Sequence, residues 1–418
     1  MVKRLRFLFY CHDTFGLGHF RRTLSLAQHF TARQSDAEAL IVTGSPLSSA
    51  FELPPRVDFL KLPAVTKQSD GTYAASSLSL PFAALRDLRA TLLLEAARAY
   101  RPDVFLVDHA PLGLKSEAVP TLTFLQTMHP TCLRVLGLRD ILDAGHLVRQ
   151  DWTQEGIYRT LEHAYHLLLV YGSRQFFDLV TEYALSPAVA RRVQFCGYLD
   201  RLTTIFPQPV TPPTTDVWRE FSPAPDRLVV LTTGGGGDGF SLMQAYLVGL
   251  SQQAMPAWRS VLLTGPLMSA HELAILRDLA ARLPAGLVRL EAFLPDPLPL
   301  FTAADLVVSM AGYNTVCELL GLRQRTLLLP RVTPRQEQLV RARLLARHGL
   351  VQMLHPEHLT PERLLDLIQH GLEQPRPREE QFVSAGISFH GQARAAEAVL
   401  AGLHVLDQQQ QDLVQTQP

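Results

Sequence analysis

The stretch Asp305-Leu306-Val307-Val308-Ser309-Met310-Ala311-Gly312-Tyr313-Asn314-Thr315-Val316-Cys317-Glu318 decides the fold. Leu306 to Val308 is wholly apolar, Ser309 closes the run, Gly312 turns the chain, and Asn314–Leu320 follows with helical spacing. A strand without polar alternation is buried on both faces, the habit of parallel sheets covered by helices. Thr315 and Glu318 stand three apart and so share a helical face.

The same strand–helix unit repeats outward from this stretch. Downstream come a strand at Thr326–Leu329 and a helix at Gln336–His348. Upstream lie strand Leu228–Thr232, helix Ser241–Gln252, strand Ser260–Thr264, helix Ala270–Leu283 and strand Val288–Glu291. An earlier series has strands at Arg6–Cys11, Ala39–Thr43, Val57–Leu62, Val104–Val107, Thr121–Leu125 and Leu167–Tyr171, with helices at Gly18–Phe30 and Ala83–Tyr100. Between the two series the chain carries Pro207, Pro209, Pro212, Pro213, Pro223 and Pro225, which reads as a hinge. The expected organisation is an α/β chain with an N-terminal domain over 1–205 and a linker over 206–226. A second domain covers 227–385, a last helix 386–404, and a glutamine-rich disordered tail 405–418.

Composition narrows the function classes. Acidic and basic residues number 39 each, so no net field favours a polyanion, and no nucleic-acid partner is expected. Cys11, Cys132, Cys196 and Cys317 are far apart and lack metal-ligand or CxxC spacing, which fits reduced thiols in a cytoplasmic protein. The apolar run after Lys3, Arg4 and Arg6 is too short for a signal peptide, and no segment is long and apolar enough to span a bilayer. Leu85–Leu94 with its arginines reads either as an ordinary packed helix or as a basic, apolar patch for peripheral contact with the inner face of a membrane.

The first strand runs into Cys11-His12-Asp13-Thr14-Phe15-Gly16-Leu17-Gly18-His19. Gly16 and Gly18 let backbone approach a ligand closely at a helix N-terminus, although Arg21 stands where a dinucleotide fingerprint has its third glycine. His19, in the first helical turn, is either a capping residue or a base suited to taking a proton from a hydroxyl. Asp108, after the strand Val104–Val107, either caps a turn or orients that imidazole.

In the second series the strand Leu228–Thr232 meets Gly234, Gly235, Gly236, Gly237, Asp238 and Gly239. Five glycines in six positions suit a loop of bare amides against phosphate oxygens, and the Lys-Ser/Thr of a P-loop is missing. Ser309, Gly312, Asn314 and Thr315 surround the next helix start, where a diphosphate can sit. Glu318 is either a grip on ribose hydroxyls or a solvated surface acid. Glu337 and Gln338 open a further helix after Pro330 and either read sugar hydroxyls or satisfy the helix dipole.

Gly-x-Gly-His19, the glycine loop, Ser309-x-x-Gly312-x-x-Thr315-x-x-Glu318, Pro330 and Glu337-Gln338 together resemble glycosyltransferase family 28. The resemblance follows the layout of most of residues 5–400 and is most specific over 305–342. It implies a GT-B fold, with two Rossmann-like parallel-sheet domains facing across a cleft. It also implies a nucleotide-sugar donor, usually a UDP-sugar, on the C-terminal half. Glu318 would hold the ribose, and Glu337 and Gln338 the donor sugar. The acceptor falls to the N-terminal half with His19, the last helix packs back on that half, and the anomeric centre is inverted. Met310 stands where the family often has an arginine, and Arg341 where it often has asparagine. These departures suggest a branch distinct from the lipid II-forming N-acetylglucosaminyltransferase.

The resulting expectation is a metal-independent inverting glycosyltransferase with no cofactor. Its partners are a nucleotide-sugar donor and a glycan, lipid-linked or small-molecule acceptor. A UDP-sugar 2-epimerase on the same scaffold, or a non-catalytic nucleotide-sugar-binding protein, are the alternatives.

Overall fold

The computed structural model describes residues 4–13, 18–68, 72–199, 227–253, 255–294 and 296–415. The hinge expected at 206–226 and the candidate Gly16 lie outside them. The chain forms two units, Met1–Leu199 with Ile387–Pro418, and Asp200–Gly386.

In the first unit, β1 (Leu5–Cys11), β2 (Ala37–Thr43) and β3 (Val57–Lys61) precede a small antiparallel hairpin, β4 (Val65–Lys67) with β5 (Tyr73–Ala75). Strands β6 (Val104–Asp108), β7 (Leu133–Arg139), β8 (Leu167–Tyr171) and β9 (Val193–Phe195) follow. The seven-stranded parallel sheet is ordered β3-β2-β1-β6-β7-β8-β9. Its order reverses at β1, which pairs on one side with β2 and on the other with β6. Loops leaving the C-terminal ends of β1 and β6 therefore diverge to opposite faces and open a crevice between them. The core residues Leu8, Tyr10, Phe105 and Val107 are fully buried beneath that crevice.

Two expectations change here. The strand expected at Thr121–Leu125 is helix Val119–Met128. Pro120 fits a first helical turn, and Thr121, Leu122 and Leu125 are the buried positions, a spacing that turns one helical face inward. The tail expected to be disordered from 405 continues instead as helix Gly391–Gln415. Glutamine is a good helix former, and Gln408 bonds His404 one turn earlier at 2.9 Å. This helix belongs to the first unit. Gln392 Nε2 donates to Ser25 Oγ at 3.2 Å, and Arg33 meets Glu397 at 3.1 Å.

Helix Phe82–Tyr100 turns Leu85, Arg89, Leu93 and Ala97 inward, a four-residue repeat that gives Leu85–Leu94 a packed face. Arg89 is an unusual member of that stripe. Its guanidinium meets Glu117 through Nε and Nη2, each at 2.7 Å, and both side chains are fully buried. Tyr10 donates to the same carboxylate. Arg89 also donates to the carbonyls of Pro63 and His12, at 2.6 and 3.2 Å. The pair thus ties the helix to the loop that leaves β1. Among the described residues no helix is long and apolar enough to cross a membrane.

The second unit has β10 (Leu228–Thr232), β11 (Arg259–Leu263), β12 (Val288–Glu291), β13 (Leu306–Ser309), β14 (Thr326–Leu328) and β15 (Gln352–Met353). All run parallel in the order β12-β11-β10-β13-β14-β15. The reversal falls between β10 and β13, where Thr232 pairs with Ser309 and Ser309 with Leu328. Helices Phe240–Gln252 and Pro361–Glu373 cover one face with Met243, Tyr246, Leu247, Leu364 and Ile368.

Arg89→Met should destabilise the first unit by about 3–5 kcal/mol, because it strands a buried carboxylate. The double change with Glu117→Leu should recover much of that loss. Urea unfolding followed by tyrosine fluorescence and far-UV circular dichroism checks both; equal losses in single and double variants would refute the pairing argument.

Candidate active site

Both strand-order reversals carry the residues singled out in the sequence. In the first unit, Asp108 ends β6 and His19 lies in the first turn of helix Gly18–Arg33. Although 89 positions apart, they meet with His19 Nδ1 at 2.6 Å from Asp108 Oδ2. Asp108 therefore orients the imidazole and is no turn cap of its own. The sequence reading missed Arg22, which sits three residues after His19 on the same helical face. Arg22 donates to Asp108 through Nε at 2.9 Å and through Nη2 at 2.6 Å, a bidentate pair almost wholly buried. Two donors converge on one carboxylate oxygen, bringing Arg22 Nη2 within 3.0 Å of His19 Nδ1. Burial would raise the Asp108 pKa, but Arg22 and the His19 hydrogen bond together hold it well below the usual carboxylate range. With Nδ1 committed to Asp108, Nε2 is the nitrogen left to exchange a proton.

Other polar groups crowd this crevice. The rings of His12 and His109 lie 4.7 and 5.2 Å from that of His19. Arg139, at the end of β7, approaches His109 Nε2 at 3.2 Å. Asp13 is buried and accepts from Thr43 Oγ1 at 3.2 Å; its burial raises its pKa. Asp13 and His109 adopt positive φ, 26° and 70°, and they flank the reversal point. Their sequence signal was adjacency alone, in His12-Asp13 after one strand and Asp108-His109 after another.

In the second unit the glycines separate by cause. Gly234 has φ 64°, which an L side chain resists, although a Cβ there would meet open space. Gly236 combines φ 93° with a Cβ that would lie 2.4 Å from the Thr264 carbonyl oxygen, and a Cβ on Gly239 would strike the Thr233 side chain. The Gly236 and Gly239 amides donate within the loop, to Thr233 and Gly236 carbonyls at 3.3 Å. Part of the run therefore serves packing against the Thr264–Gly265 turn. Gly235, Gly237 and Asp238 belong to the same turn before helix Phe240–Gln252.

Gly312 is different. It caps helix Tyr313–Gly321 with φ −65° and ψ 138°, a conformation open to any residue, and an added Cβ would meet nothing within 4 Å. The protein itself does not demand glycine there. Ser309 Oγ donates to the Met310 carbonyl at 2.8 Å, while Asn314 and Thr315 are half-buried in the first turn. Glu318 is 3% exposed, so it is no solvated surface acid.

Glu337 and Gln338 open helix Glu337–Arg347 and are both buried. Each is held by Arg331, a residue the sequence reading passed over. Arg331 Nη2 donates to Glu337 Oε1 at 2.7 Å, its backbone N–H to Gln338 Oε1 at 3.0 Å, and Nη1 to Asp238 Oδ2 at 3.0 Å. One residue thus joins the glycine loop to the helix start. Arg341, fully buried, donates to the Ala311 carbonyl at 2.8 Å and lies over the Tyr313 ring at 5.7 Å. Among the described residues no group of three or more His, Cys, Asp or Glu is arranged to hold a metal ion.

Asp108→Asn should flatten the acid limb of the stability curve. The depressed native pKa contributes stability that is present above the unfolded value, about 4, and is lost as pH falls toward the native one. Urea midpoints for wild type and variant between about pH 3 and 7 should converge toward the acid end; a constant difference across that range would contradict the assignment.

Residues 281–395 match the glycosyltransferase family 28 C-terminal domain. The chain is 38% identical over 73 residues to the UDP-N-acetylglucosamine--N-acetylmuramyl-(pentapeptide) pyrophosphoryl-undecaprenol N-acetylglucosamine transferase of Lachnoclostridium phytofermentans, covering 17% of this chain and 21% of that protein. The Geobacillus kaustophilus protein of the same name is 35% identical over 99 residues, covering 23% and 28%. The chain thus matches about a quarter of the length of these curated relatives. Among solved structures, MurG of Acinetobacter baumannii aligns with TM-score 0.58 and 14% identity over 96% of this chain and all of that one. The glycotransferase of kitacinnamycin gives 0.58 and 16%, with the same coverage. A putative UDP-N-acetylglucosamine 2-epimerase from Listeria monocytogenes gives 0.61 and 13%, over 96% of each chain. These likenesses establish the two-domain GT-B fold.

Proposed function

From the match of residues 281–395 to the glycosyltransferase family 28 C-terminal domain, we propose that the chain transfers a sugar from a nucleotide-diphosphate donor, a UDP-sugar, to an acceptor hydroxyl. The observation that carries the reading is the His19–Asp108 pair at 2.6 Å, locked by Arg22 at a strand-order reversal. A carboxylate on Nδ1 orients the ring and stabilises the imidazolium formed when Nε2 takes a proton. The acceptor oxygen, as it loses that proton, attacks the anomeric carbon. A single displacement of this kind inverts the centre.

The donor is assigned to the second unit. The N-terminus of helix Tyr313–Gly321 takes the diphosphate, and the absence of any steric need for glycine at 312 supports close approach of a ligand there. Glu318, buried one turn further in, grips the ribose hydroxyls, and Glu337 with Gln338 reads the sugar. Helix N-termini and loop amides stabilise the departing diphosphate without an obligatory metal. The acceptor is a glycan, lipid-linked or small-molecule hydroxyl. An epimerase on this scaffold would convert the donor sugar with no acceptor present, so product analysis without acceptor separates the two activities.

A thermal-shift panel with UDP, GDP, ADP, dTDP and their sugars tests the donor assignment. Ligand at about a hundred times its Kd adds about 2.7 kcal/mol to stability. One nucleotide family should raise the midpoint, and Glu318→Ala should abolish the rise. Gly312→Ala should fold as wild type yet lose the same shift, and retention of the full shift would sink the helix-terminus assignment. His19→Ala should keep nucleotide binding and slow transfer by about 10²–10⁴-fold in a donor-consumption assay. Unchanged transfer would remove His19 as base.

A further inference from the structure

The Arg331 guanidinium faces two carboxylates of unequal standing. Glu337 is nearly inaccessible, and its side chain is 4% exposed, so that pair is set deep. Asp238 is 49% exposed and sits on the glycine loop just before helix Phe240–Gln252. An ion pair with so exposed a partner is easily exchanged for another anion. Arg331 Nε is moreover buried with no acceptor among the described residues, a costly condition for a charged donor. A guanidinium fork with one firm partner, one exchangeable partner and one donor lacking an acceptor is suited to a bidentate oxyanion. It lies beside the start of a helix whose N-terminus favours the same charge. The family resemblance assigned nothing to position 331.

We propose that Arg331 is a binding residue for the donor's diphosphate and that Asp238 is its placeholder, giving up the guanidinium when a diphosphate arrives. The inference rests on the nucleotide-diphosphate reading given above and adds to it a specific cation and a specific competitor. In this arrangement Arg331 stays on Glu337 through Nη2, so the group that reads the sugar remains fixed while Nε and Nη1 turn to the phosphates. Asp238 then opposes binding twice, by holding the guanidinium and by presenting a like charge to the ligand.

That gives a prediction of unusual sign. Removing the Asp238 charge should tighten diphosphate binding rather than weaken it. Calorimetric titration of the full chain with UDP, GDP, ADP and dTDP and the matching monophosphates is the test, with Arg331→Ala, Arg331→Lys and Asp238→Asn checked for native circular dichroism. For the diphosphate that wild type binds, Asp238→Asn should lower Kd about three- to fivefold. Arg331→Ala should raise it about ten- to hundredfold, with the monophosphate affected less than threefold and Arg331→Lys intermediate. Weaker or unchanged diphosphate binding in Asp238→Asn, or equal losses on mono- and diphosphate in a folded Arg331→Ala, overturns the inference alone. Failure of wild type to bind any diphosphate overturns the donor reading and the inference with it.

Discussion

Each of the two parallel sheets reverses its strand order once, at β1/β6 in the first unit and β10/β13 in the second, and candidate site residues gather at both points. The cause is geometric. Right-handed crossovers send successive helices to one face on one side of the reversal and to the other face beyond it. Loops from the two central strands are then pushed apart, and backbone amides at the following helix starts are left facing a gap. Asp108 and His19 come together there despite their separation in sequence, and in the second sheet the strands that lead into the glycine loop and the Gly312 turn end side by side, Thr232 beside Ser309. No local sequence preference brings these residues together; the shared reversal does.

Such a gap has to be lined with polar groups over an apolar core, and the protein handles this by pairing buried charges. Arg22 completes Asp108, Arg89 completes Glu117, and Arg331 holds Glu337. Arg22 holds Asp108 in its charged form against the cost of burial, and in all three pairs the arginine fixes the carboxylate's direction. Fixed direction is what a base or a hydroxyl-reading group requires. Arg89 shows the same economy one layer deeper, since its remaining donors hold the carbonyls of Pro63 and His12. The loop that carries His12 therefore stands on a charged, hydrogen-bonded base.

Long, uniformly apolar strands and regularly spaced helices were readable in the chain because periodicity is local. That is why β10, β13 and helix Tyr313–Gly321 lie within a residue or two of their expected bounds. Thr121–Leu125 failed because a short apolar run has no period of its own, and the helical spacing of its buried positions emerges only against neighbours. The tail failed because glutamine composition was read as disorder although glutamine also favours helix. In the site, Gly312, Glu318 and the His19–Asp108 pair stood out through type and position. Arg22 and Arg331 did not, and Arg341 did so only as a departure from the family pattern, since an arginine on a helix or after a strand is ordinarily a surface residue. Only burial and partners distinguish them.

The two departures from the family pattern at 310 and 341 become one fact in space. The family often carries an arginine just after the serine that matches Ser309; here that place is Met310, and the arginine comes instead from position 341 on a later helix. Arg341 reaches the same turn from behind, donating to the Ala311 carbonyl and stacking on Tyr313. Being fully buried, it is committed to the turn rather than to any ligand. With methionine at 310, the cation at this corner is the buried Arg341, which stiffens the turn around Gly312 from inside. On the proposal above, positive charge for an anion comes from Arg331, partly exposed beside the glycine loop, rather than from the buried Arg341.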